Sequence, residues 1–200
     1  MAALYFFVPA VGDALDAVGR LKDRVGLPFG VVTTVFFGGV VPLLLRPLQK
    51  RPAAGHPPLT HTAVELVYWA YAGVILELLF RFQTLMFGDT PDPVTVLSKV
   101  AFDFGLYNPL WEAPFAVWYF QLNNRLHARH PAVTAPQPTG SFRAWYRRRV
   151  VPMLFTVTLI WMPPAFAIYA LPTTLQLPVS NLLLCFWALI LPLQVSLAED

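Results

Sequence analysis

The chain has 200 residues, of which 56% are hydrophobic and 12% charged, with a net charge of +3 and a mean hydropathy of +0.56. A soluble domain carries about 25% charged residues, so this composition excludes an ordinary soluble protein and points to several membrane crossings. The modest charge, with no broad basic domain, excludes a nucleic-acid partner, and the single cysteine, Cys185, excludes an internal disulfide and a multi-cysteine metal site.

The expected fold is all-α: one multi-pass transmembrane helical bundle over residues 1–200, with four to five spans and an N-terminal amphipathic helix. The opening residues "MAALYFFVPAVGDALDAVG" lack a basic start and soon turn acidic at Asp13 and Asp16, so neither a cleavable signal nor a transit peptide is expected. Over 8–25, Val8, Val11, Leu15, Val18, Leu21 and Val25 recur at steps of three and four, with Asp13, Asp16, Arg20 and Arg24 between them. That is an amphipathic helix, suited to the membrane interface or to packing on the bundle.

The first span is expected at 26–46, where no charge precedes Arg46. Pro28 can begin it, Pro42 kinks it, and Gly38 and Gly39 leave room for close helix contact. "RPLQKRPAAGHPPLTH" then reads as a loop. The second span, 63–88, contains Glu65, Glu77 and Arg81, and "DTPDP" follows as an acidic turn. The third span is 99–122. The long polar connection after it ends in "SFRAWYRRR". No charged residue occurs from Val150 to Leu197, a stretch broken at "LPTTLQLP" into spans at 150–171 and 175–197. With five crossings, the loops 46–60 and 123–149 share one side and nine basic residues, which places them on the cytoplasmic or matrix-like face.

Charges inside apolar spans are the candidates for function, because each costs about 2.5–3.5 kcal/mol near the bilayer centre on insertion scales. Glu77 and Arg81 are four apart and can neutralise each other, as can Lys99 and Asp103. Glu112 has no basic partner in its own span, so a cavity or a neighbouring helix is expected to meet it. Asn108 and Asn181 read first as interhelical hydrogen-bonding amides and second as pore lining. His56, His61, His127 and His130 lie in loops without carboxylate or cysteine neighbours and read as solvated, not as metal ligands. The six tryptophans suit an aromatic belt, and Arg147, Arg148 and Arg149 suit a topology anchor at anionic lipid heads. No enzyme signature occurs: there is no phosphate loop, no Gly-x-Ser-x-Gly and no His-Glu-x-x-His. No cofactor is expected, and no enzymatic activity.

Lys99, Asp103 and Pro109 are spaced as in a motif of the Mpv/PMP family of peroxisomal and mitochondrial inner-membrane proteins, and the chain resembles that family there. A second resemblance runs through Trp161, Pro163, Tyr169, Pro172, Asn181, Trp187 and Leu191. The departures are Phe104 in place of a Gln, Met162 between Trp161 and Pro163, Ile168-Tyr169 in place of Asn-Phe, and Pro192 in place of a Ser. The resemblance implies a divergent member of a four-span family in a bacterial cytoplasmic, mitochondrial inner or peroxisomal membrane. It also implies a channel-like or pore-like protein for small solutes, with the lipid bilayer and a homo-oligomer or membrane complex as partners. The alternative is a non-enzymatic scaffold or accessory subunit of a membrane complex.

Overall fold

A computed structural model describes residues 8–45, 59–127 and 141–197, with the side chains of 120, 124–127 and 187–197 left undescribed. His56, His130, most of the loop 46–60 and the middle of the loop 123–149 therefore lie outside the described residues, as does the side chain of Trp187. Helices account for nearly all that is described, and no strand occurs among these residues. The length leads to one bundle over 1–200; the contacts gather into two compact units, one of Met1–Thr90 with Leu171–Asp200 and one of Pro91–Ala170.

The described part of the first unit holds four helices. Helix α1, Pro9–Val25, starts with Pro at its first turn and ends at Gly26, whose φ of 70° lies in the left-handed region that a side chain resists. Helix α2, Leu27–Leu45, and helix α3, Leu59–Phe87, follow. Helix α6, Thr173–Leu197, returns to the same unit after Pro172, whose carbonyl accepts from the Leu175 N–H at 2.8 Å. Glycines set the closeness of α2 and α3. A Cβ on Gly73 would lie 2.9 Å from the Gly30 carbonyl oxygen and from Val31 Cα, and one on Gly38 would lie 2.5 Å from the Trp69 ring. Small residues that let two backbones approach are the usual basis of helix association where water offers no driving force.

The second unit holds helix α4, residues 93–127, and helix α5, Phe142–Tyr169. Asp92 caps α4, accepting from the Val94 and Thr95 N–H groups at 3.0 Å, with Pro93 at the first helical position. Ala113 and Val117 of α4 bury against Val150 of α5, with Trp145, Tyr146, Met153 and Leu154 around them.

Among the described residues three helices contain a π-helical stretch: Val35–Val40 in α2, Asp103–Glu112 in α4 and Tyr146–Val150 in α5. A proline explains each. Pro42, Pro109 and Pro152 lack an N–H, and their rings press on the carbonyl four residues back. Those residues, Gly38, Gly105 and Arg148, all lie inside the widened turns, where i→i+5 spacing relieves the clash. Pro163 and Pro164 sit in α5 without such a turn, and nothing in their surroundings explains the difference.

Among the described residues three helices are long and apolar enough to cross a membrane: Leu27–Leu45, Leu59–Phe87 and Phe142–Tyr169. They overlap the stretches 26–46, 63–88 and 150–171 expected as crossings. The expected 99–122 crossing falls in α4, where Lys99, Asp103 and Glu112 interrupt the apolar run, and 175–197 falls in α6, whose apolar part is described from Thr173 to Phe186.

Candidate functional site: two buried polar clusters

The candidate residues gather into one cluster in each unit. In the first unit, Glu77 of α3 is almost fully buried between two cations. Arg81 Nε donates to Glu77 Oε1 at 2.8 Å from one turn along the same helix, while Lys22 Nζ of α1 lies 3.0 Å from Glu77 Oε2. Lys22 also donates to the Thr173 carbonyl at 3.3 Å, so it joins α1, α3 and the start of α6. The pattern puts Leu21 and Val25 on the apolar face of α1, suited to the membrane interface or to the bundle. Both are exposed, at 51% and 44%, and the face that packs on the other helices runs through Gly19 and Lys22. The cause is Gly19: a Cβ there would lie 3.1 Å from Thr174 Oγ1, so the bare backbone lets α6 come close and turns Lys22 inward.

Asn181 of α6 is fully buried and grips α2 with both ends of its amide. Its Oδ1 accepts from Thr34 Oγ1 at 3.1 Å, and its Nδ2 donates to Thr33 Oγ1 at 3.0 Å. Thr33 in turn donates to the Phe29 carbonyl at 2.8 Å, so every member of the chain has a partner. Farther along, the Thr84 and Thr173 hydroxyls meet at 2.8 Å and join α3 to α6. Next to them Gln176 is buried, its Nε2 donating to the Leu171 carbonyl at 3.0 Å, and Ser180 donates back to the Gln176 carbonyl.

In the second unit, the π-helical stretch of α4 carries Asp103, Asn108, Pro109 and Glu112. Asp103 accepts at Oδ1 from Asn108 Nδ2 at 3.2 Å and at Oδ2 from the Tyr169 hydroxyl of α5 at 2.8 Å. Lys99 stands one α-turn from Asp103 and could neutralise it; the hydrogen bonds to Asp103 come from an amide five residues on and a tyrosine on the next helix. Lys99 is fully buried one turn earlier. Glu112 accepts from Tyr107 at 2.7 Å, five residues back on its own helix rather than on a neighbour. Both same-helix pairs are five residues apart, the spacing a π-helix brings into line. The Pro109 carbonyl accepts from Tyr146 of α5 at 2.8 Å, and Trp145 Nε1 donates to Gln121 at 3.2 Å. Widened turns expose carbonyls in this way, and Tyr146 fills the role that an i+4 N–H would otherwise have.

Of the residues that carry the family resemblance, Trp161 is partly buried in α5, Pro163 faces outward from the same helix, and Pro172 is exposed at the break before α6. They are spread along the chain and form no cluster. Lys22, Thr33, Thr34, Thr84, Tyr107 and Thr173 are cluster members that no sequence pattern marks as such, and Tyr169 stands out only through the family resemblance. Only Lys22 carried a signal, a cation three residues beyond a helical glycine. Among the described residues no group of three His, Cys, Asp or Glu side chains could hold a metal ion. Set against protein-family models, curated proteins and solved structures, the chain finds no match in any of the three.

Proposed function

We propose that the chain is an integral membrane protein that works as a non-enzymatic scaffold or accessory subunit of a membrane complex, its intramembrane polar groups serving to tie helices together. One observation carries this reading. Glu77, Asp103 and Asn181 each bond to a side chain of another helix, while large apolar side chains such as Leu44, Val67, Leu85 and Leu110 face outward. A charge used to lock helices is not free to line a path for solute. The proposed arrangement has α2, α3 and α5 as full crossings.

A pore for small solutes is the second reading. It is favoured by the buried amide oxygens of Asn108 and Gln176, which accept no hydrogen bond and would be satisfied by water in a hydrated path.

Alkaline carbonate extraction tests the membrane assignment; the chain is expected to stay in the pellet. Reconstitution into planar bilayers then separates the two readings. The scaffold reading expects silent bilayers over a wide voltage range and a stable larger complex in native gels. Unitary currents whose ion selectivity changes in Glu112→Gln would overturn it in favour of the pore.

A further inference from the structure

The start of α5 carries a charge arrangement that its own fold does not satisfy. Arg143, Arg147, Arg148 and Arg149 are all exposed within the first eight residues of the helix. No ion pair joins any of them to a carboxylate among the described residues. The sequence explains why: no Asp or Glu occurs from 113 to 198, and the acids before that stretch, Asp103 and Glu112, are already bound to Tyr169 and Tyr107. The position adds to the strain. Cations normally favour the C-terminal end of a helix, whereas this end is itself positive, and Ser141 supplies no side-chain cap.

Directly after the arginines the same helix turns apolar and stays exposed. Val151, Phe155, Leu159 and Phe166 recur at helical spacing, with Phe155 73% and Leu159 67% exposed. Between Val151 and Phe166 the column runs about 22 Å at the helical rise. Side chains on a helix lean toward its N-terminus, so the arginines extend away from the column, at the level where headgroups begin. Phe142, itself exposed, and the anchored rings of Trp145 and Tyr146 mark that level.

We propose that this face binds an anionic phospholipid, its phosphodiester held by the arginines at 143–149 and an acyl chain lying along Val151, Phe155 and Leu159. Guanidinium groups match phosphate with paired N–H donors. The apolar column distinguishes a lipid from a free phosphate or a nucleic acid, neither of which would use it.

The proposal rests on the membrane reading, and the test separates the two. A chain that purifies without detergent overturns the membrane reading; a detergent-solubilised chain indifferent to lipid charge overturns this one alone. Full-length protein in neutral detergent is titrated with phosphatidylglycerol, with phosphatidylcholine of the same acyl chains, with inorganic phosphate and with a single-stranded oligonucleotide. Thermal unfolding and native mass spectrometry are the readouts. Phosphatidylglycerol is expected to raise the unfolding temperature and to stay bound in the spectrometer, and the other three are not. The triple variant Arg147→Gln/Arg148→Gln/Arg149→Gln is expected to weaken phosphatidylglycerol binding roughly a hundredfold, at about fivefold per arginine. Arg24→Gln, an exposed arginine on α1, is expected to leave it unchanged. Phe155→Asn tests the column and should weaken the lipid without altering the response to inorganic phosphate. Equal stabilisation by the neutral lipid, equal stabilisation by the oligonucleotide, or full binding by the triple variant would each overturn the proposal.

Discussion

The two units solve one problem in opposite ways. In the first, local contacts such as Glu77–Arg81 are joined by contacts between residues far apart in sequence: Lys22 with Glu77, Thr34 with Asn181, Thr84 with Thr173. Those bonds hold separate helices together, and glycines at 19, 30 and 73 make the approach close enough for them. In the second unit the carboxylates of α4 are met largely from within α4, through Asn108 and Tyr107, and only Tyr169 reaches Asp103 from another helix. A straight α-helix that cannot satisfy its own polar side chains must find a neighbour; a helix with a widened turn can do part of the work itself. The first unit should therefore depend on its polar contacts for assembly, and the second chiefly on its apolar contacts.

Four substitutions sharpen or break that contrast, each read by denaturant unfolding in detergent micelles. Glu77→Gln should have the largest effect, a loss of about 3–5 kcal/mol, because it leaves Lys22 buried without a counter-charge. Adding Lys22→Met to it should restore much of the loss; if the single variant unfolds like the parent, the idea that ion pairing assembles this unit is wrong. Gly73→Ala should follow at about 1–3 kcal/mol, since the new methyl meets backbone that cannot move aside. In the second unit, Tyr169→Phe removes the one hydroxyl that reaches Asp103 across helices, at about 1.5 kcal/mol. A loss as large as that of Glu77→Gln would erase the distinction between the units. Tyr107→Phe should be smallest, about 0.5 kcal/mol, because it removes a hydrogen bond made within one helix and no contact between helices.

What could be read from the chain alone follows the same division. The Glu77–Arg81 pair is visible in the sequence because α-helical spacing is local, and the two side chains meet at 2.8 Å. Lys22 is not visible as their partner: it lies among the charges of an amphipathic helix, and only a close approach at Gly19 turns it inward. Asp103 and Glu112 misled for another reason. Helical spacing of three and four points to the wrong neighbours there, because Pro109 changes the local period and the same-helix partners stand five away. The apolar runs at 26–46, 63–88 and 150–171 are legible because crossing a bilayer demands length and apolarity that few other structures need. Which helices gather into which unit is set by contacts between distant parts of the chain, such as the return of α6 to α1 and α2, and no local pattern encodes it.

The widened turn in α4 also changes the arithmetic of the chain. Each i→i+5 bond takes up one residue more than an α-turn, so residues 113–127 are rotated relative to the face that a regular helical wheel through 93–102 would assign. Length is thus slack inside 104–111 and taut elsewhere. Losing one residue there would let the backbone fall back to ordinary α geometry, with the following face still aimed at Val150. Losing one from the middle of α3 would swing Glu77 away from Lys22. A single-residue deletion scan, scored by folded yield, should therefore find its most tolerant stretch beside a proline, in the helix that carries Asp103 and Glu112.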